Sequence, residues 1–296
     1  MSKKRVLILG ATGMLGHQVY QYLKTNSDFE ITGTCREPDP RIQKKMYGQV
    51  FPYFDALLLR EFELQDLFTK HGPFKFIINC IGAIKPSINE SNPASVADAV
   101  RLNAYFPHEL VAYASVYGGK IIHPSTDCVF SGDQEAPYIE NDIPDATDIY
   151  GRSKAMGESP GAMNIRASII GPEIHTQRSL LEWYLGQQGR VNGYTNHYWN
   201  GITTLQWAKT ALQIMESELW KPGIQHICTT SVTKARLLEI FKQEFAYANI
   251  NGASVNRVCA PQTKWMTLGS QNLPYLSQIL MPDIVGQIRE LVQRRY

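Results

Sequence analysis

The sequence predicts an α/β protein whose parallel sheet carries helices on both faces, and two observations predict it. Short β-rich apolar runs alternate with segments of helical pattern along residues 1–171, and a glycine-rich turn directly follows the first run. After residue 171 the regular alternation fades. We therefore expect a doubly wound sheet of the Rossmann type over residues 1–171 and a smaller, discontinuous lobe over residues 172–296.

The apolar runs bounded by turn residues are predicted as buried strands. They cover residues 5–10, 30–35, 74–82, 119–126 and 164–171. The segments between them are predicted as helices and cover residues 16–26, 61–72, 96–118 and 150–158. In the second part of the chain, segments near residues 201–210 and 223–230 are expected to return to the main sheet.

Composition and charge exclude several classes of protein. Apolar residues make up 44% and charged residues 19% of the chain, which is ordinary for a globular protein. The net charge of +2 indicates no nucleic-acid partner. No apolar run reaches the roughly 18 residues of a membrane span, and the first run ends at Gly10 without a cleavage site, as a strand would. The scattered cysteines favour neither a metal site nor disulfides, so a reducing cytoplasm is the expected location.

A glycine-rich turn marks the first candidate binding site. The segment GATGMLG places Gly10, Gly13 and Gly16 where the first strand gives way to a helix. The first glycine permits a tight turn, the second lets backbone N–H groups approach a pyrophosphate, and the third allows close helix–strand packing. The positive end of the helix dipole also attracts phosphate. The turn therefore predicts a dinucleotide cofactor.

The end of the second strand indicates which dinucleotide is bound. An NAD site normally offers Asp or Glu to the ribose hydroxyls there, whereas this chain has Cys35 followed by Arg36. A guanidinium can hold a 2′-phosphate, so NADP is the expected cofactor. Glu37 keeps NAD open. Asp55 is expected either near the adenine or as a helix cap.

The segment IYGRSK contains the second candidate site. Tyr150 and Lys154 lie four residues apart, so a helix places them on one face. A neighbouring ammonium favours the phenolate form and turns tyrosine into a usable proton donor and acceptor. The same spacing is also typical of a solvated helix face, so the remainder of the chain must decide.

With GATGMLG, STDCVFSG and YGRSK in this order, the chain resembles the extended short-chain dehydrogenases/reductases. Within them it is most similar to the dTDP-4-dehydrorhamnose reductase group, which reduces nucleotide-linked 4-keto sugars for surface polysaccharides. The resemblance implies a catalytic set of Thr126, Tyr150 and Lys154. In that set the tyrosine protonates the carbonyl oxygen as hydride arrives, while the lysine lowers the tyrosine pKa and holds the nicotinamide ribose. Thr126 or its neighbour Ser125 polarises the carbonyl.

The residues expected to bind NADP lie in the glycine turn, at the following strand ends and on the catalytic helix: Gly10, Thr12, Gly13, Met14, Leu15, Gly16, Arg36, Asp55, Cys80, Ile81, Gly82, Asn103, Tyr150 and Lys154. The residues expected to bind the sugar are Lys85, Ser125, Asp127, Cys128, His197 and Asn200. The expected partner is a nucleotide-linked sugar bound chiefly by the smaller lobe, with no nucleic acid, membrane or metal. A homodimer stays open.

Two departures from the reductase pattern leave the sugar and the reaction partly open. Ile169 replaces a tryptophan that faces the sugar, and Cys128 replaces the aromatic residue after STD. Cys128 stands where a 4,6-dehydratase usually has a glutamate, which argues against dehydratase activity. An epimerase–reductase similar to GDP-fucose synthase, with a cysteine at this place, stays open. Free cysteines are more often packing residues. A further alternative is a non-catalytic regulatory subunit of methionine adenosyltransferase, against which the intact Thr126, Tyr150 and Lys154 argue.

Overall fold

The computed structural model describes residues 3–35, 56–58, 64–174, 178–272 and 277–295, and it confirms the α/β fold class. The strands are, in chain order, β1 (Arg5–Leu9), β2 (Glu30–Cys35), β3 (Ala56–Leu58), β4 (Phe76–Asn79), β5 (Lys120–Ser125), β6 (Met163–Arg166), β7 (Ile169–Ile170), β8 (Arg190–Tyr194), β9 (His197–Trp199), β10 (Ile202–Thr203), β11 (Gly223–His226), β12 (Val232–Thr233), β13 (Ser254–Val258) and β14 (Lys264–Met266).

The α-helices are α1 (Met14–Asn26), α2 (Leu64–His71), α3 (Pro93–Val100), α4 (Phe106–Val116), α5 (Ile149–Met156), α6 (Leu180–Leu185), α7 (Thr204–Glu216), α8 (Lys234–Ala246) and α9 (Ile284–Arg295). Short 3-10 turns cover Lys85–Ser87 and Asp127–Val129. Among the described helices, none is long and apolar enough to cross a membrane.

A seven-stranded parallel sheet lies at the centre of the molecule, in the spatial order β11-β6-β5-β4-β1-β2-β3. The direction of winding reverses between β1 and β4. In doubly wound sheets ligands bind outside the carboxyl ends of the strands at such a reversal. The topology therefore points to the carboxyl ends of β1, β4 and β5 as the place for a site.

Strand β1 is buried on both faces of the sheet, as its unbroken apolar sequence predicts. Val6 and Ile8 pack into the core that α1 and α7 cover, whereas Leu7 and Leu9 pack into the core under α2 and α4. This alternation follows from the two-residue period of a strand. The two apolar layers hold the site-forming strand ends in place.

The predicted helix over residues 96–118 is interrupted in the structure. Between α3 and α4, residues Arg101–Tyr105 form a π-helical turn. Pro107 has no N–H to donate to the Asn103 carbonyl, and Phe106 N–H instead bonds Arg101 O, which widens the helix. The turn brings Asn103 against the catalytic helix, as described below.

The smaller lobe has its own apolar core, which includes Tyr184, Trp199, Leu237, Phe241 and Ile288. Its strands form a parallel pair, β8 with β13, and a three-stranded sheet in the order β12-β9-β14. Strand β11 lies at the edge of the main sheet beside β6. Strand β10, by contrast, pairs with β7 in a separate two-stranded sheet, so the expected return of residues 202–203 to the main sheet is wrong.

Candidate active site

The glycine turn opens α1 close to the end of β4. Gly10 has a φ of +73°, a conformation that favours glycine, and its N–H donates to Thr34 Oγ1 at 3.0 Å. A Cβ on Gly16 would overlap the Gly10 carbonyl oxygen, so the helix can approach the strand this closely only with glycine there. Thr12 and Met14 are half-buried beside the turn, but the Leu15 side chain packs into the core.

The N-terminus of α1 is suited to bind an anion. Its N-cap, Gly13, offers no side-chain acceptor, and the first turn of this described helix carries no acidic residue. Helix N-termini without such groups attract phosphate through their N–H groups and dipole. The turn therefore fits a pyrophosphate. Leu15 can contact it only through its backbone, because its side chain lies in the core. Arg36 and Asp55, the other residues expected near the adenosine, lie outside the described residues.

Asn103 holds the loop after β4 against the catalytic helix. Its Oδ1 accepts from Ala83 N at 2.8 Å, and its Nδ2 donates to Ala83 O at 3.0 Å and to Ser153 Oγ at 3.1 Å. Adjacent to this clamp, a Cβ on Gly82 would lie 3.0 Å from Asn103 Oδ1, which is a tight contact. With both amide atoms engaged, Asn103 is placed to shape the expected cofactor loop of Cys80, Ile81 and Gly82.

The structure brings Thr126 and Tyr150 together. Thr126 follows β5 directly and caps the turn Asp127–Val129, where its Oγ1 accepts from Cys128 N at 3.1 Å. Tyr150 lies in the first turn of α5, and its phenol lies close enough to the Thr126 side chain for that side chain to lower the pKa of the phenol. A Cβ on Gly151 would overlap the Cys128 carbonyl, so this glycine permits α5 to pack directly on the turn.

The Tyr150 phenol is half-buried, and its surroundings favour the protonated form. Burial raises the pKa of Tyr150 above its ordinary value, Cys128 and Asp127 raise it further, and the nearby Thr126 side chain opposes them. Lys154 is not among the main groups that act on this pKa, and the lysine Nζ donates to Pro124 O at 2.7 Å. The expected lowering of the tyrosine pKa by Lys154 therefore stays a prediction.

Lys154 is buried beneath the site. Its exposed fraction is 7%, and burial lowers its pKa to about 8 although the Glu158 carboxylate opposes this change. Its Nζ also lies 3.4 Å from His123 Nε2. Cys80 lies close enough to the ammonium for the two charges to interact, but burial raises the pKa of that thiol to about 12. The expected cofactor residues Tyr150, Lys154 and Cys80 therefore share one region.

Ser125 is committed to a buried ion pair. Its Oγ donates to Glu158 Oε1 at 2.6 Å, and the same carboxylate accepts two hydrogen bonds from the Arg166 guanidinium, each at 2.7 Å. A hydroxyl held in this way is poorly placed to polarise a substrate carbonyl. The Thr126 hydroxyl also donates to a carboxylate, Asp127 Oδ1, but at the longer distance of 3.2 Å. Of the two hydroxyls considered from the sequence, Thr126 is therefore the less tightly held.

Three other expected sugar ligands lie near the catalytic pair. Asp127 is buried, and burial raises the pKa of its carboxyl. The Cys128 thiol donates to Asp127 Oδ1 at 3.6 Å, and burial together with that carboxylate raises the pKa of the thiol to about 12. Lys85 is exposed and forms an ion pair with Asp148, the N-cap of α5, at 2.8 Å. Cys128 is thus a thiol at neutral pH rather than a base.

The remaining expected sugar ligands lie in the smaller lobe. The Asn200 amide donates to Leu268 O at 2.7 Å and accepts from Leu268 N at 3.0 Å, inside the lobe. This pairing corrects the expectation of a sugar ligand, because both amide atoms are used by the backbone. His197 is half-buried, with Nε2 at 3.2 Å from Gln262 O, and its sugar contact stays a prediction.

Lys234 is the main residue that sequence reasoning missed. It begins α8 in the smaller lobe, and its Nζ lies 5.0 Å from the centre of the Trp199 ring. Burial lowers the pKa of Lys234, while the negative charge of Asp127 opposes this change. Among the described residues it has no hydrogen bond or ion pair. Only the tertiary fold brings this cation close to the turn Asp127–Val129, so no local sequence pattern predicts it.

A family model described as the RmlD substrate binding domain matches residues 4–170. The chain belongs to this family. The match confirms the predicted relationship to the dTDP-4-dehydrorhamnose reductases.

Curated relatives of this RmlD-family chain carry two kinds of name. It is 33% identical over 179 residues to methionine adenosyltransferase 2 subunit beta of Danio rerio, and the matched region covers 58% of this chain and 49% of the relative. It is 29% identical over 171 residues to the probable low-salt glycan biosynthesis reductase Agl14 of Haloferax volcanii, covering 55% and 52%. The chain therefore spans about half the length of these relatives.

A solved structure shows the same fold over the whole RmlD-family chain. The dTDP-4-dehydrorhamnose reductase of Bacillus anthracis, determined in complex with NADP, has a TM-score of 0.74, 20% identity and 99% coverage of both chains. At this identity the similarity establishes the fold.

Proposed function

We propose that this protein is an NADPH-dependent reductase of a nucleotide-linked 4-keto-6-deoxy sugar. The observation that carries the proposal is the close approach of the Thr126 and Tyr150 side chains beside the buried Lys154, in a chain of the RmlD family. The pair lies at the carboxyl end of β5, where a doubly wound sheet binds its ligands. A phenol kept protonated by its surroundings is a suitable acid for a developing alkoxide.

The residues present fit NADP. The glycine at position 16 lets α1 begin close against the end of β1, which turns the helix N-terminus towards the strand ends, and the first turn of α1 is free of acidic residues. Arg36 is proposed to hold the 2′-phosphate. The similar fold of the Bacillus anthracis protein in complex with NADP supports this choice. When bound, NADPH supplies the hydride.

The chain's own residues then provide the proton and the orientation. Thr126 Oγ1 holds the substrate carbonyl by a hydrogen bond, and Tyr150 donates its phenolic proton to the same oxygen as the carbonyl carbon is reduced. Positioned acids of this kind contribute about 10² to 10⁴ in rate. Lys154 stabilises the resulting phenolate and holds the nicotinamide ribose, and the phenolate then regains a proton from solvent.

The smaller lobe is proposed to complete the sugar site with Lys234. The pKa changes of Lys234 and Asp127 show that the two charges attract each other, yet no ion pair joins them in the described structure. A sugar hydroxyl placed between them would accept from the ammonium and donate to the carboxylate. This arrangement favours a polyhydroxylated ligand. In the proposed division of the chain, Asp127 belongs to the domain of residues 1–171 and Lys234 to the lobe of residues 172–296. A cytoplasmic location is part of this proposal, and the scattered cysteines support it.

The protonated state of Cys128 favours simple reduction over epimerisation. A thiol whose pKa is about 12 is a poor base at neutral pH. An epimerase–reductase needs a base at the carbon beside the ketone. We therefore propose that Cys128 packs against the substrate without removing a proton.

A second candidate function comes from the relatives named methionine adenosyltransferase 2 subunit beta. In this alternative the chain would regulate a methionine adenosyltransferase and need no reductase activity. Such a regulatory role would not require an intact Thr126, Tyr150 and Lys154, so the presence of all three argues against it. Adding the chain to a methionine adenosyltransferase catalytic subunit and measuring sedimentation and methionine KM would detect it.

The proposed function is tested by incubating the purified protein with NADPH and 4-keto-6-deoxy sugars linked to dTDP, UDP or GDP, while NADPH absorbance is followed. Oxidation of NADPH with at least one sugar is expected. The matched control is Tyr150→Phe, which should bind NADPH, as measured by cofactor fluorescence, but not oxidise it. Equal turnover by the variant would contradict the role of the tyrosine, and NADPH binding without turnover on any sugar would favour the regulatory candidate.

A further inference from the structure

A buried polar chain links the end of β4 to the catalytic helix. Asn79 and His123 are each 1% exposed, and Lys154 is 7% exposed. Asn79 Nδ2 lies 3.3 Å from His123 Nδ1, and His123 Nε2 lies 3.4 Å from Lys154 Nζ. At its far end Lys154 Nζ donates to Pro124 O at 2.7 Å. Asn79 and His123 have no part in the proposed chemistry so far.

The direction of each hydrogen bond in this chain follows from a backbone donor. Ile81 N–H donates to Asn79 Oδ1 at 3.2 Å, so the carbonyl side of the amide faces the backbone. The amide NH₂ must then face His123, which makes His123 Nδ1 an acceptor. A neutral imidazole carries one proton, and here that proton lies on Nε2.

The protonated Nε2 faces the side chain of Lys154. A neutral amine has a lone pair that accepts this hydrogen bond, whereas an ammonium has three donors and no acceptor. With a neutral amine every group has a partner: Ile81 donates to Asn79, Asn79 to His123, His123 to Lys154, and Lys154 to Pro124 O. With an ammonium, two donors would face each other in a buried site, which is costly.

We propose that Asn79 and His123 are positioning residues that hold Lys154 as a neutral amine in the cofactor-free protein at alkaline pH, so that binding of NADPH at that pH is accompanied by uptake of one proton. This inference rests on the proposed function, in which Lys154 meets the cofactor as an ammonium. On binding, Lys154 Nζ gains a proton from solvent, and the imidazole proton moves from Nε2 to Nδ1. Nε2 then accepts from the ammonium, and the Asn79 amide gives up its contact with Nδ1.

The surrounding charges are compatible with this assignment. Burial lowers the pKa of His123 well below its ordinary value, so the imidazole is neutral. Glu158 and Cys80 favour the ammonium form of Lys154, but burial outweighs both. The negative charge of Glu158 is already balanced by the Arg166 guanidinium, which donates two hydrogen bonds to it.

The test measures protons directly. NADPH binding is followed by isothermal titration calorimetry at about pH 9 in two buffers of different ionisation enthalpy. The buffer-dependent heat gives the number of protons taken up, and uptake approaching about one proton per NADPH is expected for the unaltered protein. In Asn79→Asp the carboxylate accepts from His123 Nδ1, which leaves Nε2 to accept from a permanent ammonium, and uptake should fall close to zero.

A matched pair separates the hydrogen-bond chain from direct attraction by the new carboxylate. The double variant Asn79→Asp, His123→Leu keeps that charge but removes the imidazole, so its uptake should return towards that of the unaltered protein. His123→Gln provides a second test. Its amide oxygen can accept from a Lys154 ammonium, so the lysine is already protonated before NADPH binds and proton uptake should be lost. Thermal melting of each variant checks that it is folded.

Three results would overturn the inference. These are no proton uptake by the unaltered protein that binds NADPH, unchanged uptake by Asn79→Asp, and uptake that stays near zero in the double variant. A protein that fails to bind NADPH at any pH would instead refute the proposed function, together with the inference that depends on it.

Discussion

Replacing Lys154 by methionine should stabilise the protein at neutral pH although it removes a residue of the proposed active site. Burial lowers the pKa of Lys154 from 10.5 to about 8, so the unfolded chain binds the lysine proton more tightly than the folded protein does. Stability contributed by such a group rises with pH between these two values. Below about pH 8 the folded protein carries the full cost of the buried ammonium.

The size of the effect follows from the same pKa change. The difference between 10.5 and about 8 corresponds to about 3 kcal/mol in the free energy of unfolding at neutral pH, and to about 1 kcal/mol near pH 10. Methionine also loses the hydrogen bond to Pro124 O, which costs about 1 kcal/mol at either pH. Lys154→Met should therefore gain about 2 kcal/mol at neutral pH and close to nothing near pH 10.

Urea unfolding of both proteins at these two pH values measures the prediction. Lys221→Met is the matched control, because Lys221 is an exposed surface residue, and its difference from the unaltered protein should not change with pH. The claim that burial lowers the pKa of Lys154 would be refuted if the stability gained by Lys154→Met were the same at both pH values or grew with pH.

Three further predictions concern the ligands. Lys234→Met should raise the KM for the sugar substrate by about tenfold, the cost of one charged hydrogen bond, while Lys234→Arg raises it less and NADPH affinity is unchanged; an unchanged sugar KM would remove Lys234 from the site. In D₂O the unaltered protein should place no deuterium on the carbons beside the former ketone, whereas label that vanishes in Cys128→Ser would make the protein an epimerase–reductase. Arg36→Ala should raise the KM for NADPH and not that for NADH, and a parallel change in both would leave Arg36 without a role at the 2′-phosphate.

Local patterns were enough to predict the central sheet and the first half of the site. The apolar runs of β1 and β4 are buried on both faces of the sheet and so show no alternation with polar residues. The glycines of the first turn report a close helix–strand approach that depends only on neighbouring residues. The spacing of Tyr150 and Lys154 also depends only on one helix.

The parts that were missed depend on contacts between distant segments. Asn200 was predicted to face the sugar, but the Leu268 backbone, distant in the chain, takes both of its amide atoms. Lys234 reaches the catalytic turn from the other lobe. His123 belongs to an apolar strand, where its partner on α5 cannot be inferred from spacing. The break near Pro107 could have been read from the missing N–H of proline.

Transfer of deuterium from C4 of the nicotinamide of labelled NADPH to a nucleotide-linked 4-keto-6-deoxy sugar measures the proposed reaction most directly. NADPH labelled on either face of the ring would be incubated with the protein and the sugar, and the product mass and the position of its label determined. We predict that one of the two labelled cofactors places deuterium on the carbon of the former ketone, and that Tyr150→Phe yields no such product. A product without label from either cofactor, or equal labelling by the variant, would contradict the proposed hydride and proton transfer.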